Sequence, residues 1–304
     1  MTRISAYKEW IKSNFHGDSA KNSIDLKVDA LLLEAKQIRF PIKLTAVAKI
    51  IGIDPKPVYL DQPYDGSLIT MGDRIRIGLN LSYRENSRYS QRLRFTYAHE
   101  LIHCFGYDFS SLPNKRVAPL PNGFEEEHLC NYGAAKLLLP KKALTNYFSE
   151  NESNGSSFAE KIKKIAATAD CSLVTVVIEL ISGELLCPVA NRIYILSLSS
   201  NGYQNKGEFK PRCLVGVSFD TNKDKTIFLA SNKGLESIKS VTYPSMPWSL
   251  VRFHNDYSKD YFEVKDENLI RNNDNWNFTA SGIHVRLNDK GYIWSELSFK
   301  DNSH

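Results

Sequence analysis

Apolar side chains recur at helical spacing through most of the first half of the chain and at every second position after residue 190. Residues 7–15 predict a short helix, followed by a polar stretch at Gly17-Asp18-Ser19-Ala20. Leu26, Val28, Leu31, Leu32 and Ala35 predict a helix over about residues 26–37, with Ser23 or Asp25 as its N-cap. Pro41 breaks the chain, and residues 44–51 predict a second helix ending before Gly52. Residues 57–80 change period. Short β-prone runs punctuated by Asp65-Gly66 and Gly72-Asp73 predict a small antiparallel sheet with tight turns. A polar lead-in with Arg88, Arg92 and Arg94 precedes an apolar helical run at 95–105. Residues 106–123, with three prolines and two glycines, read as a loop. A further helix opens near Glu125 and stops at Pro140. Residues 141–156 read as a polar linker. Residues 157–169 and 173–181, separated by Asp170-Cys171-Ser172, read as two helices in a helix-turn-helix-like arrangement. Strands follow at 192–198, 212–219, 226–230, 278–287 and 292–297. The expectation is an α+β protein. Its expected parts are an N-terminal arm (1–23), a domain of helices and a small sheet (24–145), a helical segment (146–189) and a β-rich domain (190–304).

The chemistry concentrates in residues 95–103, Phe-Thr-Tyr-Ala-His-Glu-Leu-Ile-His. Four-residue spacing puts His99 and His103 on one helical face, one turn apart, so both imidazoles can reach one metal ion. Glu100 flanks that ion from the same turn, where a carboxylate can take a proton from a water molecule. This is the His-Glu-x-x-His pattern of zinc hydrolases. The helix is otherwise apolar, and burying two imidazoles and a carboxylate without partners costs roughly 2–7 kcal/mol per group. A metal removes that cost. The competing reading is a pair of hydrogen-bonded core histidines beside a surface glutamate.

A catalytic zinc usually takes three protein ligands. The candidates are Glu125, Glu126, Glu127 and His128. Helical phase, with Asn131, Ala134, Ala135 and Leu138 marking one face, selects Glu127, with Asn131 one turn below as a supporting amide. Glu125 and Glu126 are expected to face solvent and to favour the positive helix N-terminus. His128 is the rival ligand.

Arg94-Phe95-Thr96-Tyr97-Ala98-His99-Glu100-Leu101-Ile102-His103, followed by Glu127-x-x-x-Asn131-x-x-Ala134-Ala135-x-Leu137-Leu138-Leu139-Pro140, resembles the ImmA/IrrE family of metallopeptidases. The resemblance covers about residues 24–142. It implies a zincin-like fold, with His99, His103 and Glu127 as zinc ligands and Glu100 as general base. It also implies a protein substrate, often a helix-turn-helix repressor, cut in a stress or mobile-element response. The chain departs from the family pattern at Cys130, Gly133 and Leu139, where Ala, Phe and Met are usual. These departures are expected to bear on packing more than on chemistry. The IrrE branch of the family ends in a GAF-like sensor domain, which sets that expectation for residues 190–304. Tyr243, Trp248, Phe253, Tyr257, Tyr261 and Trp276 there are candidates for a ligand pocket or a β-domain core.

Composition narrows the alternatives. Of 304 residues, 42% are hydrophobic and 24% charged, an ordinary globular balance. No apolar run approaches the roughly 20 residues that span a bilayer, so no membrane partner is expected. The N-terminus lacks the apolar stretch of a signal peptide, and five cysteines without a Cys-x-x-Cys pair read as reduced thiols; both favour the cytoplasm. The net charge of +5 is too mild to argue for nucleic acid. The run at 173–181 has no basic residue and no Asn or Gln to read base edges, which argues against direct DNA binding. The leading expectation is therefore a zinc-dependent endopeptidase, with Mn²⁺ or Fe²⁺ also suited to two histidines and a carboxylate. The alternative is a metal-binding regulator that acts without proteolysis.

Overall fold

The computed structural model describes residues 5–82, 90–151 and 158–182, with the strands of residues 192–198, 212–220, 223–229, 261–271, 276–286 and 292–301. Contacts divide the chain into two compact units, residues 1–155 with 164–179 and residues 156–163 with 180–304.

The first unit mixes helices with a small sheet. Helix α1 (Ala6–Phe15) starts at Ser5, whose hydroxyl accepts the Lys8 N–H at 3.3 Å. Its Tyr7 and Ile11 are buried, so α1 is part of the folded unit and not a free arm. Helix α2 (Ala20–Glu34) begins earlier than the pattern suggested. Ser19 caps it by accepting the Asn22 N–H at 3.2 Å, while Ser23 is buried and accepts the Gly17 N–H at 3.2 Å. Helix α3 (Leu44–Ile51) ends on Gly52, whose φ of 93° needs a residue without Cβ.

Strands β1 (Val58–Leu60), β2 (Gly66–Met71) and β3 (Arg74–Asn80) form one sheet in the order β1-β3-β2. The β2–β3 hairpin is antiparallel, as the turn at Gly72-Asp73 indicates, but β1 runs parallel to β3. The expectation of a wholly antiparallel sheet is corrected on that pairing. The reason is burial. β3 carries Ile75, Ile77 and Leu79 inward and takes the centre, so the chain leaving β1 crosses to the far side to form β2. β2 is left as an edge.

Helix α4 (Ser90–His103) follows, then a 3₁₀ turn (Cys104–Gly106) and a two-stranded ribbon of β4 (Tyr107–Asp108) and β5 (Lys115–Arg116). Helix α5 (Glu125–Leu138) packs along α4 and stops before Pro140. Tyr132 on α5 donates to Asp25 on α2 at 2.7 Å. Residues 141–151, expected as linker, form helix α6 (Lys141–Asn151). Its apolar residues, Ala143, Leu144, Tyr147 and Phe148, lie at helical spacing among polar neighbours; Ala143 and Leu144 are buried, and Tyr147 packs on Phe40 at 6.4 Å. Helices α7 (Phe158–Ala169) and α8 (Leu173–Ser182) flank a turn in which Asp170 is left-handed, with φ 52°. On α8, Leu173, Val176 and Val177 are buried, and Glu179, also buried, pairs with Lys136 of α5 at 2.8 Å. No helix among the described residues is long and apolar enough to cross a membrane.

In the second unit, β6 (Arg192–Leu198), β7 (Arg212–Asp220), β8 (Lys223–Leu229), β9 (Tyr261–Arg271), β10 (Trp276–Arg286) and β11 (Tyr292–Asp301) form one antiparallel sheet. The order β8-β7-β6-β11-β10-β9 is two three-stranded meanders joined through β6 and β11. β9 escapes the period-two reading because its register against β10 shifts between Ala280 and Gly282. The alternation begun at Phe262 and Val264 therefore lapses at Asp266 and Asn268. Tyr243, Trp248, Phe253 and Tyr257 lie outside the described residues.

Candidate metal centre

The site forms where α4 and α5 meet. Tyr97 donates its hydroxyl to the Pro55 carbonyl at 2.9 Å, and Arg94 donates to the Ile42 carbonyl, so α4 is tied to the segments before and after α3. One helical turn apart, the rings of His99 and His103 lie 4.8 Å from each other. Their Nε2 atoms are 3.0 Å apart. Glu127, from the first turn of α5, brings one carboxylate oxygen to 3.2 Å from His99 Nε2 and the other to 3.2 Å from His103 Nε2.

The outer hydrogen bonds decide what these atoms are. His99 Nδ1 meets Asn131 Oδ1 at 3.0 Å, and His103 Nδ1 meets the Glu126 carboxylate at 3.2 Å. Both partners are acceptors, so the neutral imidazoles carry their protons on Nδ1 and turn Nε2 lone pairs inward. In that tautomer two Nε2 lone pairs and the Glu127 side chain face one another, and a proton on His103, raised by the surrounding carboxylates, or a metal ion can bridge them. That donor set calls for a cation. Ligand atoms about 2.0 Å from a tetrahedral ion lie about 3.3 Å from each other, close to the 3.0 Å between the two imidazole nitrogens and the 3.2 Å from each of them to its nearer Glu127 oxygen. His99, His103 and Glu127 fit a zinc-type ion on both chemistry and spacing.

Glu126 is where the sequence reading is corrected. Expected to face solvent, it is buried and takes both the His103 proton and a bidentate grip from Arg116, at 3.2 and 2.9 Å. Arg116 also donates to the Ala118 and Pro119 carbonyls, and the ring of Tyr7 lies 5.9 Å from its guanidinium. Burial opposes the Glu126 charge, but the His103 and Arg116 hydrogen bonds and their fields more than offset it and hold the carboxyl below its ordinary range. A carboxylate on the far nitrogen of a metal-binding histidine fixes its tautomer and raises its basicity. Glu126→Gln should weaken zinc binding about 10–100-fold, read by competition with a chromophoric chelator. The clue in the sequence was Arg116, a cation in an otherwise Pro- and Gly-punctuated loop. Its ten-residue separation from Glu126 hid the pair. Glu125 is partly covered and pairs with Lys8 at 3.2 Å. His128 is exposed and is not among the converging atoms. Glu127 and Asn131, selected by helical phase, sit at the open rim rather than on the buried side of α5.

Glu100 is 5% exposed. Burial, with the fields of Glu127 and Glu126 acting against that of His103, pushes its carboxyl up to about 7. Burial and the nearby His103 lower His99, whereas at His103 burial is outweighed by the Glu126 hydrogen bond and three carboxylates, so His103 is raised. Edge strand β2 lies directly against this base. A Cβ on Gly66 would come within 2.8 Å of Glu100 Oε1 and 2.6 Å of Thr96 Cγ2. Gly66→Ala must therefore displace the Glu100 carboxylate. The expected result is full metal content with activity reduced about 100-fold, the penalty of misplacing a reacting group by about an ångström. Metal analysis and turnover on one preparation check both halves.

The three departures from the family pattern do not share one role. Leu139 is buried packing. At Gly133 a Cβ would meet Ile24 Cγ2 at 2.9 Å and Ile102 at 3.0 Å, so glycine lets α5 approach both helices. Cys130, expected to lie off the chemistry, has its thiol beside the histidine pair: His99, His103 and Cys130 each offer a ligand atom within 4.8 Å of the other two. Compared with models of protein families and with curated proteins, the chain matches none of them, so the function rests on the site itself.

Proposed function

We propose that the protein is a metal-dependent endopeptidase, with zinc as the first choice of metal and Mn²⁺ or Fe²⁺ as alternatives. The observation that carries this reading is the convergence of three donor side chains, His99, His103 and Glu127, within 3.0–3.2 Å beside a buried carboxylate. When bound, the metal acidifies a water molecule and polarises the scissile carbonyl. Glu100 takes the proton of the attacking water and passes it to the departing amine nitrogen. Burial raises the proton affinity of Glu100, against the opposite pull of a bound cation. Glu126 and Asn131 hold the two imidazoles with their Nε2 lone pairs inward. Edge strand β2, in contact range of Glu100 through Gly66, offers unpaired backbone groups to an extended substrate segment.

The resemblance to the ImmA/IrrE family supports a regulatory protein as substrate, with helix-turn-helix repressors the first candidates, and a GAF-like sensor role for the β-rich unit. α8, with its buried apolar residues and no base-reading side chains, supports a packing role over DNA recognition. The test is to incubate the zinc-loaded protein and Glu100→Gln with a panel of helix-turn-helix repressors from the source genome. Cleavage by wild type alone supports the proposal. Equal cleavage by both proteins, or bound metal with no cleavage across the panel in either, favours a regulator that binds without turnover. One observation favours that second reading: a thiol lies close enough to supply a fourth protein ligand.

A further inference from the structure

Cys130 is a metal-ligating side chain at this site that the proposed mechanism does not use. It lies one helical turn beyond Glu127 and one residue before Asn131, so α5 presents all three toward α4 from consecutive turns. The two ends of this face differ in solvent access. The Glu127 side chain is 52% exposed, whereas Cys130 is 0% exposed. The thiol is thus at the floor of the site and the carboxylate at its mouth. Both possible ligand sets share the histidine pair. One adds Glu127 at 3.2 Å from each Nε2; the other adds Cys130 within 4.8 Å.

We propose that Cys130 is a further ligand of the same metal, beside His99, His103 and Glu127. The inference rests on the metal-site reading above and extends it to the ligand set. A nitrogen and a sulfur bound to one tetrahedral ion, at about 2.0 and 2.3 Å, lie about 3.5 Å apart. The 4.8 Å bound on the present separations leaves the thiol within about an ångström of such a position. Metal binding forms the metal–sulfur bond and releases the thiol proton to solvent, with no change in oxidation state. In the metal-free protein, burial first and then the carboxylates Glu126, Glu127 and Glu100 keep the thiol protonated. The ion supplies the positive charge this pocket otherwise lacks for a thiolate. A thiolate also biases the site toward Zn²⁺, Co²⁺ and Cd²⁺ over Mn²⁺.

Cobalt reads this directly. The metal-free full-length protein is titrated with Co²⁺, and the visible d–d bands and the near-ultraviolet sulfur-to-cobalt charge-transfer band are recorded for wild type, Cys130→Ala and Cys104→Ala. Alanine is the usual residue at position 130 in the resembled family pattern and leaves no polar group unpaired, so Cys130→Ala is expected to fold. Expected are one cobalt per chain in all three, and a charge-transfer band in wild type and Cys104→Ala that Cys130→Ala lacks. Visible bands without a charge-transfer band in wild type overturn the Cys130 assignment and leave the metal site standing. A band that survives in Cys130→Ala overturns it as well. No cobalt bound by wild type overturns both the assignment and the metal site. Should Cys130→Ala fail to fold, Cys130→Ser replaces it, and retention of the band there overturns the proposal.

Discussion

Glu100→Gln is expected to lower peptide cleavage by at least 10²–10⁴-fold while the protein still binds one metal ion per chain. Glutamine keeps the size and one oxygen of the side chain but cannot accept the proton of the attacking water. His99, His103 and Glu127 are untouched, so metal content separates a lost base from a lost site. Elemental analysis and cleavage assays on the same sample check it; undiminished cleavage by Glu100→Gln would remove Glu100 from the mechanism. The same substitution has a second, opposite signature in stability. In the metal-free protein Glu100 holds its proton up to about pH 7, against an ordinary value of 4.5. Between those values the unfolded chain binds fewer protons than the folded one, so stability falls as pH rises through this window and stays lower above it. The whole shift corresponds to about 3 kcal/mol. Glutamine carries no charge to bury. Metal-free Glu100→Gln should therefore melt above wild type at pH 8, with the difference closing toward pH 5. Adding metal should narrow the difference at pH 8, because a nearby cation favours the ionised carboxylate. A pH-independent difference would mean that Glu100 is not carrying a buried charge.

His103→Ala is expected to abolish stoichiometric metal binding and, with it, the stability that metal confers. A ligand that binds only the folded state at about 1,000 times its Kd stabilises by about 4 kcal/mol, or about 10 °C in Tm for a unit of this size. A chelator should lower the melting temperature of wild type by about that much and leave His103→Ala unchanged. The substitution does not strand Glu126, which keeps its two hydrogen bonds from Arg116. The loss can thus be assigned to the metal rather than to an unpaired buried charge. Equal chelator sensitivity in both proteins would place the stabilising metal elsewhere. Glu127→Ala offers a graded comparison: it removes an oxygen ligand from the exposed rim and leaves both imidazoles and the Cys130 thiol in place.

What could be read without a fold was whatever depends on helical periodicity alone. His99 and His103 share one face at any orientation of α4, because 3.6 residues per turn brings every fourth side chain back, and Glu100 flanks them from the same turn. The phase of α5 puts Glu127 and Asn131 on one face, which is the open rim and not the buried side the pattern suggested, and the Gly52 and Pro140 stops follow from backbone chemistry close in sequence. The turn between α7 and α8 was legible for the same reason. Distances between elements were not. Glu126 looked like a solvated first-turn acid until Arg116, from a ribbon strand, and His103, from α4, closed around it. Cys130 looked like a packing residue until α4 and α5 came together over Gly133. The parallel pairing of β1 follows from which strand carries the buried Ile and Leu residues to the sheet centre, a choice among three strands that none makes alone. The sequence by itself determined the chemical groups offered to a metal and the helices that carry them. Tertiary structure decided which of those groups meet and which lose contact with water: inter-helix hydrogen bonds fix the tautomers, burial raises Glu100, and the approach of α5 to α4 brings a thiol within reach of the two histidines.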